Sequence, residues 1–224
     1  MVNNLNNLTI ITLNQPNIVD FAAARNTELS KVKTDWVFFV DSDERITPAL
    51  KAEILAAIES KKYDAYYIPR LDTFMGRELK HGETGSAEFI RLARGSYGKW
   101  VRPVHEVWVG SGRVGTLTNP LLHAPHLSIA NFLDKINKYS TIEANYRYKE
   151  GIKSSLWKIA VYPLAKFKFN YLLKLGFLDG VPGTIMAIMM SFHSYLTWTK
   201  LYLLQNKSSS RAKSRDLISP LQSK

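Results

Sequence analysis

Asp35-Trp36-Val37-Phe38-Phe39-Val40-Asp41-Ser42-Asp43-Glu44-Arg45 is an apolar run that delivers two carboxylates, one residue apart, at its end. Large apolar residues without polar alternation predict a strand buried on both faces, as in a parallel sheet. Asp41 and Asp43 are hard oxygen donors. A strand period of two places them on one side, where they would share an octahedral Mg²⁺ or Mn²⁺ with phosphate oxygens and water. An acidic turn before a helix cap would leave the same residues, so the neighbouring segments decide the reading.

Immediately downstream, Thr47 and Pro48 predict a helix start, with Thr47 as N-cap and Pro48 at the first helical position. Apolar Leu50, Ile54, Leu55 and Ile58 then give Pro48 to Ser60 one face to pack on the sheet. Upstream, Leu8 to Thr12 reads as a strand and Ile18 to Lys31 as a helix. Further strands are expected at Ala65 to Pro69 and Glu88 to Ala93, joined by a polar loop from Gly76 to Ser86. Trp100 to Val109 is extended, and a turn over Gly110 to Gly115 leads into a strand ending near Leu122. From Ser128 the pattern is helical to Gly151, and from Ser154 it is basic and apolar. The expected organisation is an α/β domain over 1–127, a helical region over 128–205 and a polar, disordered basic tail over 206–224, with no internal repeat.

Charge is distributed unevenly. Residues 151–224 hold eleven Lys and Arg against two acids, a net of +9, while residues 1–150 are near balance at +2. The same third carries Trp157, Tyr162, Phe167, Phe169, Trp198 and many Leu, Ile and Met. Basic charge among aromatics at helical spacing points to amphipathic helices in the interface of an anionic membrane. A single span over 180–199 is the alternative, and simple packing on the preceding domain is the other. Nucleic acid is excluded as a partner by the high apolar content and the lack of a recognition motif. With no cysteine there are no disulfides or thiolate metal sites, and no secretory leader pattern opens the chain.

Ala23-Ala24-Arg25-Asn26, the Asp41-Ser42-Asp43-Glu44 run, His81-Gly82-Glu83, Phe89-Ile90-Arg91-Leu92, Gly98-Lys99-Trp100, Arg102-Pro103-Val104-His105-Glu106, Leu121-Leu122-His123 and Gly176-Phe177-Leu178-Asp179-Gly180 follow one another along the chain. This ordered set resembles the family 2 glycosyltransferases of GT-A fold, in their lipopolysaccharide-core β-glucosyltransferase-like branch, from about Phe21 to about Leu204. The resemblance implies a Rossmann-like mixed sheet and a nucleotide-sugar donor. It also implies a glycan or glycolipid acceptor in cell-envelope synthesis, at the cytoplasmic face of the membrane. Members of that branch open with a further strand, turn and helix that hold the nucleotide. Only Leu8 to Thr12 precedes the Ala23-Ala24-Arg25-Asn26 segment here, so the first part of the nucleotide-binding half is expected to be missing.

Transfer from such a donor develops negative charge on the leaving diphosphate, which a metal on Asp41 and Asp43 would neutralise as Lewis acid and template. Arg25 is a candidate second cation, against the alternative of a solvated helix charge, with Asn26 fixing the loop beside it. An inverting reaction also needs a carboxylate, separate from the metal pair, to take the acceptor proton. The resemblance places Glu106 there, with Glu83 in reserve or gripping a hydroxyl. His123 would complete the metal shell, whereas His126 reads as an ordinary loop residue, and the pair is too little for zinc. Arg91 and Arg102 are expected to flank the cleft. Two other classes compete with an active transferase: a non-catalytic remnant or partner subunit, and a phosphotransferase or hydrolase reusing the carboxylate pair.

Overall fold

The structure is a computed structural model that describes residues 2–5, 7–13, 18–85, 87–124 and 128–218, with side chains among them from 7 to 207. The chain runs β1 (Val2–Leu5), β2 (Leu8–Thr12), α1 (Phe21–Leu29), β3 (Trp36–Val40), β4 (Glu44–Arg45) and α2 (Pro48–Ser60). Then come β5 (Ala65–Phe74), β6 (Arg77–Leu79), β7 (Glu88–Arg94), β8 (Gly98–Val101), β9 (Val107–Gly110), β10 (Val114–Thr116) and β11 (Leu121–His123). Three long helices close it, α3 (Ile129–Lys149), α4 (Leu156–Lys168) and α5 (Gly180–Ile218).

A mixed sheet carries the α/β part in the order β1-β2-β3-β7-β5-β11-β4, with β6 and β10 also paired to β5. β2 and β3 run parallel, as do β5 and both β10 and β11, while β7 is antiparallel to its neighbours β3 and β5. This is the GT-A-like α/β architecture expected from the sequence. All five residues of β3 are buried, because each face of the strand is covered. Trp36, Phe38 and Val40 pack with Leu50, Ile54 and Ile58 of α2, while Val37 and Phe39 pack with Ala22 of α1 and with Trp100 and Trp108 of the β8–β9 ribbon. Each such large side chain contributes about 1.5–3 kcal/mol when fully buried. Thr47 caps α2 as its sequence predicts, its side chain accepting from the Leu50 N–H at 3.1 Å.

The helical part rests on the end of that sheet. Met186 and Met189 of α5 join Phe132 and Ile136 of α3 over Phe74 and Leu79 of β5 and β6, and Trp198 and Leu201 pack with Ala144. The methionine-rich stretch is thus partly core, which realises the packing alternative for one face of α5. The tail expected to be disordered from 206 is instead helical to Ile218. Neither glycine nor proline interrupts residues 184–219, so nothing in the sequence breaks the helix. Residues 219–224 lie outside the described set, as do Ser86 and His126.

A bent connection joins α4 to α5: a π-helical turn at Phe169–Leu173, then a 3₁₀ turn at Gly176–Asp179, with the helices on either side 69° apart. The glycines there are steric requirements. A Cβ on Gly183 would sit 2.1 Å from the Gly176 carbonyl oxygen, and Gly180 has φ +67. Asp179, 3 % exposed, latches this elbow to the α/β part by accepting from the His81 backbone N–H and from its ring Nδ1, each at 2.8 Å. Gly82 N–H adds a bond to the Lys174 carbonyl at 2.8 Å.

Burial works to raise the Asp179 pKa, but the His81 bonds outweigh it and hold the carboxyl below its ordinary range. Its contribution is therefore full above the unfolded carboxylate pKa and lost as pH falls through the lower folded value. Asp179→Ala should cost about 1–3 kcal/mol at pH 7, the price of stranding buried donors. In urea unfolding the gap to wild type should shrink in acid. A gap independent of pH would show that the latch is not ionic.

Candidate active site

β3 ends at Val40, and the backbone then turns: Glu44 N–H donates to the Asp41 carbonyl at 3.0 Å while Asp41 N–H donates to Glu44 Oε2 at 2.8 Å. Asp41 and Asp43 consequently sit in a tight turn and not on a strand, which corrects the period-two argument for their shared side. Each has its own set of cations.

Asp41 is gripped by two guanidiniums. Arg25 Nη2 donates to Oδ1 at 2.5 Å and Arg91 Nη2 to Oδ2 at 2.8 Å. Arg25 also donates through Nε to Glu106 Oε1 at 3.0 Å, so one cation ties the first acid of the motif to the candidate base. Arg25 is 1 % exposed, with its guanidinium carbon 4.7 Å from the Trp100 ring centroid and 5.3 Å from that of Phe39. It is no solvated helix charge. Burial pushes the Asp41 pKa up, and the Arg91 and Arg25 charges overcome it, so the carboxyl stays below its ordinary range. Buried donors are left over: Arg25 Nη1 and Arg91 Nε and Nη1 have no hydrogen-bond partner among the described residues.

Asp43 faces the other way. Lys135 of α3 donates to Oδ2 at 3.1 Å, and His123 Nε2 lies 3.6 Å from Oδ1. His123 Nδ1 is 2.8 Å from Asp72 Oδ1, and Asp72 is in turn gripped by Arg70 at 2.7 and 3.0 Å. Burial opposes charge on His123, but its bonds to Asp43 and Asp72 prevail and raise its pKa. Burial likewise opposes charge on Asp43, and His123 and Lys135 hold it well below the usual carboxylate range.

These contacts redraw several expected roles. His123 has both ring nitrogens turned to carboxylates, so it is a bridge between Asp43 and Asp72, not a metal ligand. Among the described residues no three His, Asp or Glu side chains converge as a metal shell, and the set Asp41, Asp43 and His123 does not form. A divalent ion still fits Asp43 singly. That carboxylate is ionised, 30 % exposed and of hard oxygen chemistry, and Mg²⁺ is commonly held by one or two carboxylates with phosphates and water. Asp41 is the weaker candidate: equally exposed, it is clamped by two guanidiniums at 2.5 and 2.8 Å, against 3.1 and 3.6 Å for the cations at Asp43. Asn26, expected beside the donor, instead clasps the Trp100 backbone: its Nδ2 donates to the carbonyl and its Oδ1 accepts from the N–H, both at 2.9 Å.

Glu83 stands apart from Asp41 and Asp43, bonded to Lys166 of α4 at 2.7 Å and to Asn170 at 3.3 Å. Arg102 is turned to Glu143 of α3 at 3.3 Å. The loop that carries Glu106 holds Arg102 and His105 at φ +73 and +51, rare for non-glycine residues and enriched at functional sites. His105 meets His193 of α5 edge-on at 5.8 Å, and burial, with the neighbouring His105, pushes His193 down to about 4. The C-terminal helix thus backs the loop that aims Glu106.

Sequence reading passed over Glu44, Asp72 and Lys135. Glu44 carried a signal, as the fourth residue of the motif itself. Burial pushes its pKa up against the pull of Arg91, with the Asp41 charge adding to the rise. Asp72 and Lys135 enter only through three-dimensional packing.

Residues 2–107 match the family described as Glycosyl transferase family 2. This stretch, just under half of the chain, is similar to family 2 glycosyltransferase domains. The domain and the helices after it are similar to the lipopolysaccharide core biosynthesis glycosyltransferase LpsC of Rhizobium meliloti, 28 % identical over 188 residues, covering 81 % of this chain and 69 % of that protein. They are also similar to uncharacterized glycosyltransferases of Rickettsia typhi and Rickettsia prowazekii, 25 % and 24 % identical, each over 78 % of this chain and 64 % of the relative. The chain therefore spans about two thirds of the length of these relatives. Family 2 glycosyltransferases commonly use a divalent metal.

Proposed function

We propose that this chain is a metal-dependent, inverting glycosyltransferase. It moves a sugar from a nucleotide-diphosphate donor to a glycan or glycolipid acceptor of the cell envelope, working peripherally at the cytoplasmic membrane face. The observation that carries the reading is Arg25, which holds Asp41 of the acidic motif and Glu106 on one buried guanidinium. Donor-side and acceptor-side groups are thereby fixed relative to each other within a family 2 domain.

In this reading Asp43 holds the divalent ion, which when bound supplies charge neutralisation for the leaving diphosphate. Lys135 adds a fixed cation on the same side. Both bonds from Arg25 reach Glu106 Oε1, and no described residue bonds Oε2. Oε2 takes the acceptor hydroxyl proton as the oxygen attacks the anomeric carbon. The bond from that carbon to phosphate breaks on the opposite face, and the electron pair leaves with the diphosphate. The Trp100 ring and Arg91 wall the site without taking part in bond changes.

A screen of nucleotide sugars with Mn²⁺ or Mg²⁺ and a lipopolysaccharide-type acceptor, read as nucleoside diphosphate release, tests this. Release should require donor, acceptor and metal. Asp43→Asn should weaken the metal dependence by more than about tenfold, the lower bound for disturbing even an outer-shell partner. If no donor yields nucleoside diphosphate under any metal, the transferase reading falls. If Asp43→Asn leaves the metal requirement unchanged, the assignment of the ion to Asp43 falls alone.

A further inference from the structure

Among the described residues, sixteen of the twenty-five large apolar side chains that stand exposed lie between Ile152 and Leu203. They gather at the outer faces of α4 and α5 and at the elbow between them. Leu173 is 74 % exposed and Val181 66 %, with Leu172, Leu175, Phe177 and Leu178 beside them. Charge on this surface has one sign. From 151 to 207 the only acid is Asp179, and it is buried on His81, so the surface charges are lysines, among them exposed Lys153 and Lys168 and half-buried Lys174.

The elbow's backbone is also largely satisfied from within. Lys174 N–H reaches the Phe169 carbonyl at 2.8 Å, Leu175 N–H the Leu172 carbonyl at 3.2 Å and Leu178 N–H the Leu175 carbonyl at 2.9 Å. The Lys174 and Leu178 carbonyls accept from Gly82 N–H and Arg77 Nη2. An irregular turn can enter an apolar phase only when its polar backbone groups are paired in this way. Among the described residues no single helix is long and apolar enough to cross a bilayer, but the bent pair over 156–173 and 176–207 passes that test by length and composition.

We infer that the elbow from Phe169 to Val181 is the element that enters an anionic lipid bilayer. It dips as a wedge, with α4 and α5 lying behind it and lysines at the headgroup level. This deepens, and rests on, the membrane-face reading proposed above. Because Asp179 latches the wedge to His81, and Lys166 and Asn170 hold Glu83 next to it, insertion brings the acceptor side of the domain to the bilayer. The acceptor class that suits this geometry is a lipid-anchored glycan.

The chain has no cysteine, so Leu173→Cys and Val109→Cys can each carry a polarity-sensitive fluorophore at a single place. Val109, exposed on the β8–β9 ribbon, is the control. With vesicles of anionic lipid containing spin-labelled chains, the label at 173 should shift to the blue and be quenched, and the label at 109 should not. In vesicle flotation of the full chain, L173D with L178D should lower the bound fraction about tenfold or more, since two exposed apolar contacts are lost to lipid. Both side chains face outward, so the thermal midpoint should not move.

Flotation that survives the double substitution, or a quenched label at 109 with none at 173, overturns the elbow while leaving the membrane reading standing. Failure of the unaltered chain to bind any vesicle overturns both. A concentration-dependent dimer that disappears in L173D, without vesicle binding, assigns the patch to a second copy and overturns the inference.

Discussion

Replacing Arg25 with alanine should destabilise the protein by about 3–5 kcal/mol, the cost of removing one partner from a buried ion cluster. The guanidinium is fully enclosed between Trp100 and Phe39 and serves both Asp41 and Glu106. Without it Glu106 loses its close ion pair, and Asp41 keeps Arg91 alone. Arg25→Lys should recover only part of the loss, because an ammonium brings the charge but neither the flat stacking face nor the fork that reaches both carboxylates. Urea unfolding at neutral pH reads the difference. Since the Asp41 pKa is depressed in the folded state, its share of that stability is complete above the unfolded carboxylate range and disappears as pH falls through the folded value. A loss within about 1 kcal/mol, typical of an exposed pair, would mean that the cluster is loosely solvated and does not fix the two acids.

The elements that could be read from sequence are those specified by local chemistry. β3 is a continuous apolar run and needs no partner to be recognised, and α2 announces itself by Thr47, Pro48 and its apolar stripe. β5 was harder, since Pro69 suggested its end, yet the strand continues to Phe74. Pro69 falls where one neighbour, β10 at 65–67, gives way to the next, β11 at 70–72, so its missing N–H interrupts neither ladder on that side. The acidic motif was legible as residues and not as geometry. Asp41 and Asp43 are held by different cations, from α1, β7, β11 and α3, and no spacing rule foretells which cation reaches which oxygen. The pairing of His123 with Asp72 is hidden for the same reason, because Asp72 lies on another strand.

The basic, aromatic-rich C-terminal third was legible as a composition. What it concealed was the division of labour on α5. Met186, Met189 and Trp198 face the helices and sheet beneath them, while Leu173, Leu178 and Val181 at the preceding elbow stand exposed. That division comes from the latch at Asp179 and the close glycine contacts, which set the elbow's angle. The motif Gly176-Phe177-Leu178-Asp179-Gly180 is thereby explained as a joint between two parts of the chain, distinct from the chemistry proposed at Asp43 and Glu106.

Glu106→Gln should retain donor affinity while lowering turnover by roughly 10²-fold or more, the usual worth of a general base. The substitution keeps the side chain's shape and an oxygen for Arg25, so Asp41 and the donor side should stay as they are. What disappears is the carboxylate oxygen proposed to receive the acceptor proton. Calorimetry of donor binding and steady-state release of nucleoside diphosphate separate the two effects, and kcat should fall with little change in donor KM. The same measurement on Glu83→Gln distinguishes the candidates. Glu83 is bonded to Lys166 and Asn170, away from the acidic motif, so its loss should weaken acceptor KM or the seating of α4 before it slows the chemical step. Normal turnover in Glu106→Gln together with a collapse in Glu83→Gln would move the base to the loop at 81–84, and Arg25 would then be a purely structural cation.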